Sequence, residues 1–132
     1  MTMTRGPAPS QPSTGARLAQ AGVDWDAVAV NRFYALQALE RLARPGSVAV
    51  DPRAQQPVLY FFVPAGTTDG WGVPESTAFS TATYVMLPAA GKGAQPGAYW
   101  LVPPVGGLIQ HTETTALRLA LEAVGLKSEI AS

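Results

Sequence analysis

Val58-Leu59-Tyr60-Phe61-Phe62-Val63-Pro64 is the stretch around which the rest of this chain arranges itself. On an extended backbone Val58, Tyr60 and Phe62 point one way and Leu59, Phe61 and Val63 the other, and both sets are apolar. A strand with no wet face is a central strand. Pro64, which has no N–H to give to a ladder, closes it. Two later runs repeat the pattern of an aromatic residue, apolar residues and a closing proline: Tyr84-Val85-Met86-Leu87-Pro88 and Tyr99-Trp100-Leu101-Val102-Pro103. Each predicts a further strand.

Upstream, Ser47 to Val50 is short and apolar, and the turn-rich Asp51 to Pro57 folds it back as a hairpin partner of the central strand. Ahead of it, Ala27-Val28-Ala29-Val30 reads as a strand and Asn31 as the N-cap of a helix over Arg32 to Ala43. Phe33, Leu36, Leu39 and Leu42 are the expected apolar stripe of that helix, with Arg32, Gln37, Glu40, Arg41 and Arg44 on its wet side and Pro45-Gly46 as its stop. Between Pro64 and Pro74 lies a loop with Asp69-Gly70 as its turn and Trp71 near its tip. Thr81 to Leu87 and Tyr99 to Val102 are the last two strands, joined by a glycine and proline loop. Thr112 or Thr114 then caps a helix to about Val124, ended by Gly125. The expected fold is therefore α/β (α+β), a mixed or antiparallel sheet of about five strands with two helices packed on it, in the order β-α-β-β-β-β-α.

Composition sets the outer bounds. The chain has 132 residues, nine basic against nine acidic, and no cysteine. There is thus no thiolate metal site, no disulfide framework, and no net field to draw in nucleic acid or an anionic membrane. Residues 1–21 are mostly Thr, Pro, Ser, Gly and Ala and predict a disordered tail; 22–127 form a single domain and 128–132 a short end. No secretory h-region and no membrane-length apolar run is visible, so the expected location is the cytoplasm.

Residues capable of chemistry are few. Asp24 and Asp26 are two apart, a spacing that could present two carboxylates to Mg²⁺, but ahead of a strand such acids are usually turn residues. His111 is the only histidine and has no G-x-S-x-G serine partner, so a surface role before the last helix is its expectation. Gly91-Lys92-Gly93-Ala94-Gln95-Pro96-Gly97 lacks the spacing of a phosphate loop and leads into a strand. Tyr60, Phe62, Tyr84 and Tyr99 could make a base-stacking face, yet no arginine or lysine is interleaved with them, which points to core packing. Trp71 reads either as a lid over the core or as an interface anchor. The last helix has a polar stripe only through Thr115, Arg118 and Glu122, which leaves more apolar surface than one sheet face hides.

Val48-Ala49-Val50-Asp51-Pro52-Arg53, Leu59 to Gly66, Tyr84 to Pro88 and Gly97 to Leu101 resemble, in order, parts of the N-terminal domain of bifunctional DNA primase/polymerases. More closely, Gly22 to Leu126 is similar to a group of small uncharacterised actinobacterial proteins, with G-V-x-W-D near the start and V-P-x-G-T…W in the middle. The first resemblance implies a shortened, inactive relative. The family's metal-binding acid pair falls on Ala49 and Asp51, so one acid is missing, and its nucleotide-binding histidine falls at about Val58. Two-metal phosphoryl transfer needs several carboxylates.

The expected function is a non-enzymatic protein-interaction module of the bacterial cytoplasm, without cofactor or metal. It meets a protein partner or a second copy through Leu117, Leu121 and Val124 of the last helix, and Trp71. The alternative is a degenerate nucleotide or nucleic-acid binder using Asp51, Arg53 and Tyr60. A third possibility is a small enzyme around Asp24, Asp26 and His111, which requires those side chains to converge.

Overall fold

A computed structural model describes residues 16–52 and 56–131, and of residues 127–131 the backbone only. Nine elements follow in order: β1 (Arg17–Gln20), β2 (Trp25–Asn31), α1 (Arg32–Glu40), β3 (Val48–Asp51), β4 (Val58–Pro64), β5 (Ser76–Phe79), β6 (Tyr84–Leu87), β7 (Tyr99–Val102) and α2 (Thr114–Ala131). Five strands form an antiparallel sheet in the order β5-β2-β4-β3-β7, and β1 with β6 makes a separate two-stranded sheet. The class is α+β. Among the described residues no helix is long and apolar enough to cross a membrane.

Strand β4 is central, with β2 and β3 antiparallel on either side of it. Its two apolar faces each need a cover. Leu59, Phe61 and Val63 pack with Val28, Val30, Val48 and Val50 beneath both helices, through Ala35, Ala38, Leu117, Leu121 and Val124. Tyr60 and Phe62 pack with Trp25, Ala27, Ala49 and Trp100 on the opposite side, closed by Val85 and Leu87 of β6 and Ala19 and Ala21 around β1. Both helices lie on the same side of the sheet, so the other apolar face of β4 is covered by the small second sheet.

That cover changes several expectations. The tail expected as far as Ala21 falls outside the described residues up to position 15, but Arg17–Gln20 is a strand in register with Tyr84–Leu87, and Ala21 is fully buried. Strand β5 lies between the expected loop, which ended at Pro74, and the strand expected from Thr81, in a segment given no element; its Ser76-Thr77-Ala78-Phe79 lacks the branched apolar run of a central strand and sits at the sheet edge, on β2. Helix α2 runs through Gly125 and past residue 128, so no separate end begins there. Glycine inside a helix costs about 1 kcal/mol, which packing of the helix as a whole offsets.

Helix α1 starts where expected, with the Asn31 side chain accepting from the Tyr34 N–H at 3.1 Å. Its inward face is not the expected one. Ala35 and Ala38 are buried, with Tyr34, Leu39 and Leu42 packed beside them, whereas Phe33 and Leu36 are exposed. Three-residue steps fall back by about 60° each on a helix with 3.6 residues per turn. Over Phe33, Leu36, Leu39 and Leu42 the drift reaches half a turn, so these four cannot share one face.

Candidate functional site

Asp26 is the second residue of β2 and alternates with Val28 and Val30, which places its side chain on the helix side of the sheet, among apolar neighbours. It is fully buried. A carboxylate there must be saturated with donors. One oxygen, Oδ2, accepts the Thr68 hydroxyl at 2.7 Å and the backbone N–H groups of Gly66 and Thr68 at 3.1 and 3.3 Å. The other, Oδ1, accepts the Ser80 hydroxyl at 3.3 Å. The segment after β4 can wrap round the carboxylate because Gly66 (φ 81°) and Gly70 (φ 73°) take left-handed backbone conformations.

This wrapped loop and the edge strand β5 enclose an open cavity of about 740 Å³, lined by Gly66, Thr68, Trp71, Ser76, Thr77 and Ser80 among others. Trp71 is held on two sides. Its Nε1–H donates to the Ser76 hydroxyl at 2.9 Å, that hydroxyl donates to the Val73 carbonyl at 2.7 Å, and the Arg118 guanidinium lies 5.6 Å from the indole ring centre. Half-buried against the helix-side core, it has the contacts of a lid. The cavity is lined by hydroxyls and by Asp69; the Ser80 hydroxyl is engaged with Oδ1 of Asp26, whose Oδ2 takes the three loop donors.

His111 lies elsewhere. Its imidazole Nε2–H donates to the Asp24 carbonyl at 3.1 Å, in the bend before β2. The contact uses the Asp24 backbone, not its carboxylate. Asp51 is farther still: it pairs with Val58 at one end of β4, while Asp26 pairs with Val63 at the other. Five residues put them about 17 Å apart along the strand direction alone, and they face opposite sides, since Asp51 alternates with Ala49 of the second core. Among the described residues no three His, Cys, Asp or Glu side chains lie close enough to hold a metal ion.

The other named residues separate in the same way. Asp51 lines a cavity of about 530 Å³ with Ala16, Met86, Gln95, Pro96 and Gly97. Tyr60 is on the same side of the sheet but buried, its ring edge-on to Phe79 at 5.9 Å. Arg53 lies outside the described residues. Of the possible stacking face, Tyr60 and Phe62 are core, Tyr99 is on the helix side and Tyr84 is exposed on the other sheet. Lys92 folds back to donate to the Ala94 carbonyl at 2.7 Å.

Leu117, Leu121 and Val124 are corrected outright as contact residues. All three are buried under the sheet-facing side of α2 and form the core. Spacing alone could not tell inward from outward on a helix apolar nearly all round. Among the described side chains of α2, the large apolar ones that are exposed are Leu119 and Leu126. Of Thr112 and Thr114, the alternative caps expected, Thr112 is fully buried and its hydroxyl accepts the Gly46 N–H at 2.8 Å, while Thr114 is the first residue of α2 and its hydroxyl lies 2.6 Å from that of Thr67.

The polar site itself had one trace in the sequence. A lone carboxylate in the apolar alternation Asp26, Val28, Val30 is a buried acid in search of donors, and Gly66 and Thr68 in the loop after β4 supply three of them. Ser80 left no such trace, because β5, the strand it follows, was unrecognised.

No protein-family model matches the chain, and no curated protein and no solved structure matches it.

Proposed function

We propose that this chain is a small non-enzymatic protein-interaction module of the bacterial cytoplasm, and that it meets its partner through the outward side of the helix layer. The observation that carries this reading is the orientation of α1, which buries its alanines and leaves Phe33 66% and Leu36 38% exposed. Burying a phenylalanine or leucine side chain is worth about 1.5–3 kcal/mol. A helix that turns Ala35 and Ala38 inward and Phe33 outward forgoes that gain in the isolated domain, and a partner restores it. Leu119 and Leu126 are exposed on α2 of the same layer, at 60% and 59%. The polar groups, by contrast, are engaged with one another: the Asp26 carboxylate holds the turn after β4, and His111 holds the bend before β2.

A photo-crosslinking side chain placed at Phe33 in growing cells tests the reading, with Val23, similarly exposed at 63% but beyond the opposite end of β2 from α1, as the control. Protein adducts are expected at position 33, above those at position 23, and lost when Leu36→Asp is added. Equal labelling at the two positions, or adducts indifferent to Leu36→Asp, refutes it.

A further inference from the structure

The exposed arc of α1 is self-complementary, and from it we infer that the occupant of this face is a second copy of the chain, related by a two-fold axis at Leu36. The inference rests on the interaction-module reading and names its partner.

Arg32, Phe33, Leu36, Gln37 and Glu40 lie on one outward arc of about 140°, opposite the buried Ala35 and Ala38. Leu36 is its midpoint along the helix. Arg32 precedes it by four residues and Glu40 follows it by four, so each charge lies about 6 Å from the centre along the axis. Two such helices packed antiparallel at Leu36 bring the Arg32 end of each to the Glu40 end of the other, twice over. The apolar middle is then two Leu36 and two Phe33 side chains, with a cation and a carboxylate at each rim.

Each charge is also placed against its own helix. Arg32 is the first residue of α1 and Glu40 the last, and no acidic residue stands in the first turn and no basic one in the last. A cation at the positive end and an anion at the negative end of a helix dipole are both unfavourable. An antiparallel copy reverses both signs, offering Arg32 the carbonyl end and Glu40 the N–H end of its own α1. Arg41 at the C-cap is turned about 100° further round the axis, off this arc. Neither Arg32 nor Glu40 has an ion-pair partner among the described residues.

The area fits a reversible pair. Phe33, Leu36, Leu119 and Leu126 together expose apolar surface on the order of 400 Å², about half of the roughly 800 Å² per partner of a stable dimer. The stems of Arg32, Gln37 and Glu40, with Pro57 beside Phe33 in a shallow groove, supply more. A dimer in the micromolar range is expected, not an obligate one.

Sedimentation of the full chain over a wide concentration range tests this. A monomer–dimer equilibrium is expected. Arg32→Glu and Glu40→Arg should each weaken it about tenfold, and the double variant R32E/E40R should recover it to within about threefold, because the swap restores both rim pairs. The chain has no cysteine, so Leu36→Cys under mild oxidation should give a single disulfide-linked dimer, while Leu126→Cys should not. These positions are exposed, and unchanged thermal unfolding of each variant confirms that folding is intact. A chain monomeric throughout, a double variant as weak as the singles, or no interchain bridge in L36C overturns the inference. A strict monomer that still forms Phe33 adducts with a different protein in cells removes the second copy and leaves the interaction reading standing.

Discussion

The Thr68 hydroxyl donates to the buried Asp26 carboxylate at 2.7 Å, across 42 residues of chain, and so ties the loop after β4 to the start of β2. Three donors from that loop converge on one oxygen. Asp26→Ala leaves the Gly66 and Thr68 N–H groups and the Thr68 hydroxyl without their acceptor, and should cost about 3 kcal/mol in urea unfolding. Asp26→Asn keeps one acceptor oxygen and should cost about half as much. Amide hydrogen exchange locates the effect: Gly66 and Thr68 should lose protection in the alanine variant. Equal stability of wild type and D26A would mean that the loop is held by something else.

Gly46 is fixed by neighbours, not by its own conformation. A Cβ there would lie 2.2 Å from the Gln110 carbonyl oxygen and 2.5 Å from the His111 carbonyl carbon, both backbone. This close approach lets Gly46 donate to Thr112 and Ser47 exchange hydrogen bonds with Gln110 at 2.8 and 2.9 Å, which fastens the segment before α2 to the start of β3. Gly46→Ala should lose more than about 3 kcal/mol or fail to fold. Thr112→Val, nearly isosteric, removes only the acceptor and should lose about 1–2 kcal/mol, read from thermal or urea unfolding.

What the sequence revealed follows from how each signal arises. The central strand was legible because Leu59 to Val63 is apolar on both faces, and the Asn31 cap because a short side chain oxygen before a helical run has one common use. The hairpin of β3 and β4 followed from the turn residues between them. Strand β1 was not legible: Arg17-Leu18-Ala19-Gln20 has one large apolar residue, Leu18, which points to solvent, and its pairing with β6 spans more than sixty residues. Strand β5 was hidden for the same reason, being polar and at an edge. The Asp26 cluster was half legible, since its acid stands out in an apolar run but its donors come from Gly66, Thr68 and Ser80, which only the fold brings together. The inward side of α2 was lost in an excess of apolar residues.

The Arg118 guanidinium and the Trp71 indole, 5.6 Å apart, join α2 to the loop over the cavity. Both alanine substitutions should destabilise, and a double-mutant cycle on W71A and R118A should give a coupling of about 0.5–1 kcal/mol. Trp71→Phe keeps a ring under Arg118 but loses the Nε1–H bond to Ser76 and should cost about 1 kcal/mol. Additivity of W71A and R118A in urea titrations would show that the two side chains do not hold each other.

The rotation of α1 about its own axis makes the sharpest stability prediction, because pattern and structure give opposite answers. On the stripe pattern Leu36 is core and Ala38 is a bystander; in the fold Ala38 is completely buried and Leu36 is open to solvent. Two small side chains, Ala35 and Ala38, let the helix lie close upon β2, β4 and α2. Ala38→Leu adds three carbons where there is no room and should cost about 1–3 kcal/mol despite the good helix propensity of leucine. Leu36→Ser should stay within about 0.5 kcal/mol of wild type below the concentration at which the chain associates. Urea unfolding of both variants decides it. If A38L is neutral and L36S costs about 2 kcal/mol or more, Leu36 is the core residue and Phe33 with it, and the outward face on which the dimer is argued does not exist.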